Sequence, residues 1–341
     1  MTKIQREDPM QDFGDIMNII ENARLNAYRA VNKELINMYR SIGEYVSKKV
    51  KAGVWGKSTV NDISEYIQRH NPGISGFSPQ NLWRMRQFYE TYEDDAICST
   101  LSSELSWSIN TKIMGCETKD EREFYMRLAV RNNYSYRELE RQIESCLYER
   151  TMLSKNFITD TSLKSRHNGL RALRDNYVLE FLDMPKEYKE KDLRKAIVNN
   201  LKEFILELGK DFSFIGEEHR VQVGNSDFYI DLLFYNRELK CLAAIELKTG
   251  TFRPEHIGQM QLYLEALDRD VRKEDENHSV GLILCTDKDD TVVEYTLAKS
   301  LTPSLIAAYE LVLPNKKLLQ QRVRGLIQLT EEGRDHLSDQ T

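Results

Sequence analysis

Lysine and arginine are outnumbered in this chain. There are 48 of them against 54 Asp and Glu, for a net charge of -6. The pI lies near 5.7, so no general basic surface advertises a nucleic-acid partner. Cysteine is sparse as well. The five cysteines (98, 116, 146, 241 and 285) are odd in number and form no CxxC pair. That excludes a disulfide framework and a Cys-rich zinc site, and suits reduced thiols in a cytoplasmic protein. No apolar run reaches the ~20 residues needed to cross a bilayer, so no membrane partner is expected. The opening words MTKIQREDPMQDFG lack an apolar signal core, which argues against export.

At 341 residues, 40% of them hydrophobic, the chain can build two cores. The first half reads as helical. Residues 13–51 place Ile16, Ile19, Ile20, Ala23, Ala27, Val31, Leu35, Met38 and Ile42 at helical spacing. Gly53 and Gly56 end the run, and a second helix passes through Ile63 and Ile67. The loop HNPGISGF then breaks the chain, and Ser78-Pro79 starts a helix to Tyr92 as N-cap and first-turn proline. Helix, Gly-containing loop, then a helix displaying Gln80, Asn81 and Arg84 resembles a helix-turn-helix. Residues 40–86 carry eight Lys/Arg against three acids. Lys48, Lys49, Lys51 and Lys57 are therefore candidate phosphate contacts, and Gln80, Asn81 and Arg84 candidate base or backbone contacts. A helical hairpin with a solvated polar face is the plainer reading of the same pattern. Thr118-x-x-Glu121 and Ser135-x-x-Glu138 read as capping boxes. The expected domains are a helical unit over 13–151, a linker over 152–176, and a second domain over 177–341.

That second domain is organised around residues 227–263, DFYIDLLFYNRELKCLAAIELKTGTFRPEHIGQMQLY. Phe228–Tyr235 and Cys241–Leu247 are strand-length apolar runs joined by a short charged link, which predicts a β-hairpin. Asp231 interrupts the first run and Glu246 the second, with Lys248 two places on. Carboxylates inside apolar strands are costly without compensation. A four-residue loop Arg237–Lys240 sets Asp231 directly opposite Glu246. A two-residue turn Arg237–Glu238 makes them diagonal neighbours. In either case Asp231, Glu246 and Lys248 share a side. Opposed Cβ atoms lie about 4.5–5.5 Å apart, where like charges repel. A divalent cation turns that repulsion into binding.

A D…ExK pattern on a hairpin resembles the core of the PD-(D/E)XK nuclease superfamily. The flanking words FYIDLLFYNRELKCLAAIELKTG and GQMQLY, with GFSPQNLWRMRQFY and YSYRELERQIESCLYER upstream, resemble the YhcG-like family of bacterial nucleases. Ile109 departs from that family, which tends to carry histidine there. The resemblance implies an all-α N-terminal domain and an α/β restriction-endonuclease-like domain of order αβββαβ. The helix Lys191–Leu208, a first strand His219–Val223, the hairpin, a helix His256–Leu267 and a strand Val280–Cys285 fill that order. A last strand Ile306–Leu313 and a helix Lys316–Leu329 follow. The resemblance also implies a Mg²⁺- or Mn²⁺-dependent endonuclease acting on nucleic acid, DNA more than RNA; cutting both strands of a duplex would favour a homodimer or higher oligomer. A role in defence against foreign DNA belongs to the same inference. Asp231, Glu246 and the backbone carbonyl of Leu247 become metal ligands, Lys248 the catalytic cation, and Gln259 a substrate- or water-placing residue. Glu207 becomes the helix carboxylate that joins them, with Glu203 as second choice. A nuclease fold that binds nucleic acid without cutting it is the alternative.

Overall fold

The computed structural model describes residues 9–157, 173–297 and 303–326. Contacts divide the chain into two units, Met1–Arg141 and Gln142–Thr341. Among the described residues, no helix is long and apolar enough to cross a membrane. All five cysteines are buried.

The first unit is helical: α1 (Pro9–Lys51), α2 (Lys57–His70), α3 (Pro79–Tyr92), α4 (Ala96–Ser102), α5 (Trp107–Ile113), α6 (Lys119–Asn132) and most of α7 (Tyr136–Glu144). The stretch 13–51 is thus one uninterrupted helix. The Ser78 hydroxyl accepts the N–H of Asn81, with Pro79 in the first turn, and sets the start of α3. Ser135 and Glu138 close a reciprocal capping box at the start of α7. At α6, Thr118 caps Glu121, whose carboxylate accepts the N–H of Glu117 rather than that of Thr118. Tyr39, Val46, Val60, Phe77, Leu82 and Met85 form the core between the first three helices.

That core depends on one glycine. A Cβ on Gly43 would stand 2.0 Å from the backbone oxygen of Met85 and 2.6 Å from its carbonyl carbon. Glycine inside a helix is ordinarily a cost of about 1 kcal/mol. Here it lets α1 and α3 touch backbone to backbone. Gly43→Ala should destabilise this unit by about 3 kcal/mol, the upper range for overpacking. Unchanged urea unfolding of the variant would show that the two helices separate freely.

In the second unit, α8 (Leu147–Phe157) precedes a six-stranded sheet of order β1-β6-β5-β4-β3-β2. The strands are β1 (Asn176–Val178), β2 (Phe212–Val223), β3 (Ser226–Asn236), β4 (Cys241–Leu247), β5 (Val280–Cys285) and β6 (Ser304–Glu310). β2, β3 and β4 are antiparallel, while β4, β5, β6 and β1 run parallel. The helices are α9 (Glu190–Asn199), α10 (Leu201–Leu208), α11 (Glu255–Asp270), α12 (Asp290–Leu297) and α13 (316–326). The first two pack on one face of the sheet through Leu193, Ile197, Phe204 and Leu208. The third packs on the other through Ile257, Met260, Leu264 and Leu267. The order αβββαβ is present as expected.

Several boundaries differ from expectation. Lys191–Leu208 is two helices, because Asn200 leaves the helical region at φ -116 and ψ 37 and its side chain donates to the Ala196 carbonyl at 2.9 Å. The first strand begins at Phe212, seven residues early. Phe212 and Phe214 pair with Asn236 and Phe234, and a bulge before Gly216 disrupts the alternation that marks a strand. The last strand is Ser304–Glu310, short of Leu313. Strand β1, at the junction between the expected linker and the second domain, was not anticipated, since three residues carry no periodicity. Of the remaining linker, α8 extends through Phe157 and residues 158–172 lie outside the described residues. Residues 327–329 of the closing helix also lie outside them.

Candidate functional site

β4 brings Glu246 and Lys248 to its C-terminal end. Parallel pairing with β5 holds that end: Glu246 faces Ile283 and Leu247 faces Leu284. The Lys248 N–H donates to the Leu284 carbonyl at 2.8 Å. On the other side, β3 pairs with β4 from Asn236↔Cys241 to Leu232↔Ile245. This is the register of the four-residue loop Arg237–Lys240, and one further step sets Asp231 opposite Glu246. There a side chain takes over from the backbone ladder. Asp231 Oδ2 accepts the N–H of Leu247 at 3.0 Å.

Glu246 is 4% exposed. Its Oε1 accepts from Lys248 Nζ at 2.8 Å. Its Oε2 is buried with no hydrogen-bond partner. Burial, then the charge of Asp231, push the Glu246 carboxyl up to about 7, and Lys248 offsets only part of this. Burial pulls the Lys248 ammonium down, but the hydrogen bond and charge of Glu246, followed by Glu190 and Asp231, outweigh it and raise the group overall. Both shifts have one sense: the cluster is short of positive charge and holds its protons.

Two residues that the sequence reading missed complete the cluster, both from α9. Arg194 Nη1 donates to Asp231 Oδ1 at 2.8 Å and Nη2 to Glu218 Oε1 at 2.5 Å. Its Nε lies 3.8 Å from Glu217. Glu190, one turn earlier, lies 3.8 Å from Lys248 Nζ. The signal available was a Glu–Arg pair at i, i+4 bordering the apolar stripe of Leu193 and Ile197. Nothing local said that this end of the helix would meet the hairpin.

Glu207 corrects the expectation. It is fully buried, and its Oε1 accepts from Arg150 Nη1 at 3.0 Å and from the Val178 N–H at 2.9 Å. It ties α10 to α8 and β1, away from Asp231 and Glu246. The break at Asn200 puts Glu207 on a separate short helix from Glu190 and Arg194.

Gln259 Nε2 donates to the Tyr263 hydroxyl at 2.6 Å, and that hydroxyl donates to the Tyr229 carbonyl at 2.8 Å. This links α11 to β3 two residues before Asp231. The Tyr263 phenol is raised by burial and then by Glu246. Burial, then Lys248, lower His256 at the start of the same helix.

The basic candidates of the first unit fare unevenly. Gln80 and Arg84 are exposed on α3. Asn81 is spent internally: it donates to the Gly76 carbonyl at 2.5 Å and accepts the Trp107 indole N–H at 2.8 Å. That removes it as a base contact. Lys48 pairs with Glu44 at 2.7 Å and Lys51 with Glu93 at 3.4 Å, whereas Lys49 stands over the Tyr45 ring. The Lys57 side chain lies outside the described residues.

Among the described residues, no three His, Cys, Asp or Glu side chains converge as a metal cage. A cation at β4 would be held by fewer protein ligands. The donors nonetheless suit a hard divalent ion: carboxylate and carbonyl oxygens, one of them buried and unpartnered.

Comparison with known proteins places the chain in a family. Residues 15–150 match the DUF1016 N-terminal domain. Residues 170–324 match the YhcG PDDEXK nuclease domain. A protein of Escherichia coli (strain K12) that bears the name "Putative nuclease YhcG" is 31% identical over 355 residues, covering 93% of this chain and 94% of that protein. A crystal structure of a repair endonuclease from Pyrococcus abyssi is matched over 38% of this chain and 50% of that one, at 17% identity and a TM-score of 0.26. With both domains matched in order and a relative aligned along nearly its whole length, the chain belongs to the YhcG family of PDDEXK-type nucleases.

Proposed function

We propose that this protein is a metal-dependent endonuclease that hydrolyses phosphodiester bonds, in DNA more than RNA, at Asp231, Glu246 and Lys248. The observation that carries this reading is the buried, unpartnered Glu246 Oε2 beside a second carboxylate and an ammonium. Asp231, Glu246 and the Leu247 carbonyl would hold Mg²⁺ or Mn²⁺. A cation held by these oxygens would supply an activated water and neutralise charge on the phosphate. Lys248 places a compact positive charge where the attacking water and the phosphate oxygens meet. Arg194 holds Asp231 from behind and spreads positive charge over Glu217 and Glu218. Glu190 keeps Lys248 at the site from the helix side, the position expected of Glu207. Gln259 and Tyr263 fix β3 through the Tyr229 carbonyl. Lys49, Gln80 and Arg84 of the first unit offer contacts to the nucleic-acid backbone, and two copies of the chain would bring two such sites to a duplex.

Metal-stripped protein titrated calorimetrically with Mg²⁺ or Mn²⁺, beside a panel of DNA and RNA substrates, tests this. The expected result is cation binding and cation-dependent cleavage. Asp231 already has both oxygens engaged, by Arg194 and by Leu247, which favours a second reading, a non-cutting nucleic-acid binder. Substrate binding with neither metal uptake nor cleavage would establish that reading instead.

The Glu246 shift makes a further prediction. Its folded-state value of about 7 lies above the ordinary carboxylate range. Below about 7 a proton occupies the carboxyl, and above it the oxygens are free for a cation. Cation affinity should therefore fall as pH is lowered through about 7. In metal-free protein the sign of the stability effect is opposite. The native state holds this proton more tightly than the unfolded chain, so stability declines as pH rises from the ordinary carboxylate range to about 7. Metal affinity independent of pH across that window would contradict the assignment of Glu246 as a ligand.

A further inference from the structure

The first half of α1 reaches past the core of its own unit. Every described side chain from Ile16 to Val31 is exposed. Contact begins at Asn32, which donates to the Ser103 and Leu105 carbonyls, and burial at Ile36. Phe13 is 60% exposed, Ile16 53% and Ile20 44%. Such a projection has little to hold it. Asn18, Asn22, Asn26 and Gly14 are poor helix formers, and an unpacked helix of this length is marginal in water.

The exposed apolar residues are patterned. Phe13, Ile16, Ile20, Ala23, Ala27 and Ala30 follow the alternating three- and four-residue spacing of a coiled-coil seam. At 3.6 residues per turn this seam lies roughly 150° around the helix from the buried residues Ile36, Tyr39 and Val46. It does not continue the face that the helix turns to its own domain.

We infer that this seam pairs with the same seam of a second copy of the chain, the two helices antiparallel. Three observations choose that occupant and direction. First, the seam is symmetric about its midpoint between residues 21 and 22. Reversing one helix sets Phe13 against the partner's Ala30, Ile16 against Ala27 and Ile20 against Ala23, large against small throughout. A parallel pair sets isoleucine on isoleucine and alanine on alanine, leaving gaps beside crowded layers. Second, charge divides at the same midpoint. Asp12, Asp15 and Glu21 precede it, and Arg24, Arg29 and Lys33 follow it, with no opposite charge among residues 9–33 of either half. Antiparallel pairing lays each acidic half on a basic half, and parallel pairing lays like on like. Third, all six seam side chains are exposed along about 25 Å of helix, an apolar strip long enough for a second copy to cover. The inference stands apart from the nuclease reading, because it uses no residue of the β4 site.

Sedimentation equilibrium of the full chain should give twice the chain mass, and Ile20→Glu should halve that mass, with a loss of helical circular dichroism no larger than the projecting half of α1 and unchanged melting of the rest of the chain. Direction is read by cross-linking, since the five native cysteines are buried. Antiparallel pairing sets Ile16 beside the partner's Ala27 and leaves the two copies of residue 16 about 16 Å apart. A mixture of Ile16→Cys and Ala27→Cys chains should then form a mixed disulfide, while Ile16→Cys alone should not. A dimer that persists unchanged in Ile20→Glu overturns the proposal, as does an Ile16→Cys homodimer. A chain monomeric at every concentration overturns it too, whether or not it sediments with anionic phospholipid vesicles.

Discussion

Lys248→Ala should lose cleavage by about 10³-fold or more, the scale seen when one preorganised charge is removed from a developing anion. Two effects combine. The ammonium that meets the water and phosphate is gone. The ammonium that offsets part of the rise of the Glu246 carboxyl is also gone, so that carboxyl keeps its proton to higher pH. Cation affinity at neutral pH should therefore weaken alongside cleavage. Melting at pH 7 and below should change little, because the Glu246 carboxyl left behind takes up a proton rather than standing as an unpaired buried charge, and the Lys248 backbone N–H keeps its bond to Leu284. Lys248→Arg should restore little. A planar guanidinium on a longer stem does not reproduce a compact ammonium 2.8 Å from Glu246 and 3.8 Å from Glu190. Full cleavage by folded Lys248→Ala protein would remove this residue from the chemistry and the proposed mechanism with it.

Glu207→Ala should act on stability instead. The carboxylate is wholly buried against the Arg150 guanidinium, itself 8% exposed, and also receives the Val178 N–H. Removing one partner of a buried pair leaves the other charge in a low-dielectric interior, at a cost of about 3–5 kcal/mol. The urea midpoint of the second unit should fall accordingly. Under conditions where the variant remains folded, Mg²⁺ affinity should match the parent. Glu207→Gln keeps an acceptor for Val178 and should lose less stability. If instead Glu207→Gln weakened metal binding without lowering the unfolding midpoint, the helix carboxylate would belong to the site after all.

These two carboxylates show what was legible locally. The hairpin residues were readable because strand alternation and loop length are local properties: Asp231 and Glu246 lie only 15 positions apart in the chain, and one four-residue loop sets them opposite each other. Helices α1 and α3 were readable for the same reason, from apolar spacing and from a Ser-Pro start that the Ser78 hydroxyl completes. The helix carboxylate was not. A glutamate at position 190 and one at position 207 have equal standing in a linear pattern. The choice between them was made by Asn200, which breaks the helix, and by Arg150, which claims Glu207 from a helix more than fifty residues earlier.

Composition, spacing and turn chemistry determined the two-part plan, the αβββαβ order, and the convergence of Asp231, Glu246 and Lys248 at one end of β4. Tertiary structure decided which other charges stand around them. Arg194 meets Asp231, Glu218 and Glu217 only once α9 lies across the sheet. Asn81 looked free to read a base until Trp107, 26 residues away, took its amide oxygen. The physical reason is range. Hydrogen-bonded turns and side-chain periodicity act over a few residues and leave a mark in sequence. The partner of a buried charge is whichever opposite charge packing brings within reach, and the chain carries no local mark of that.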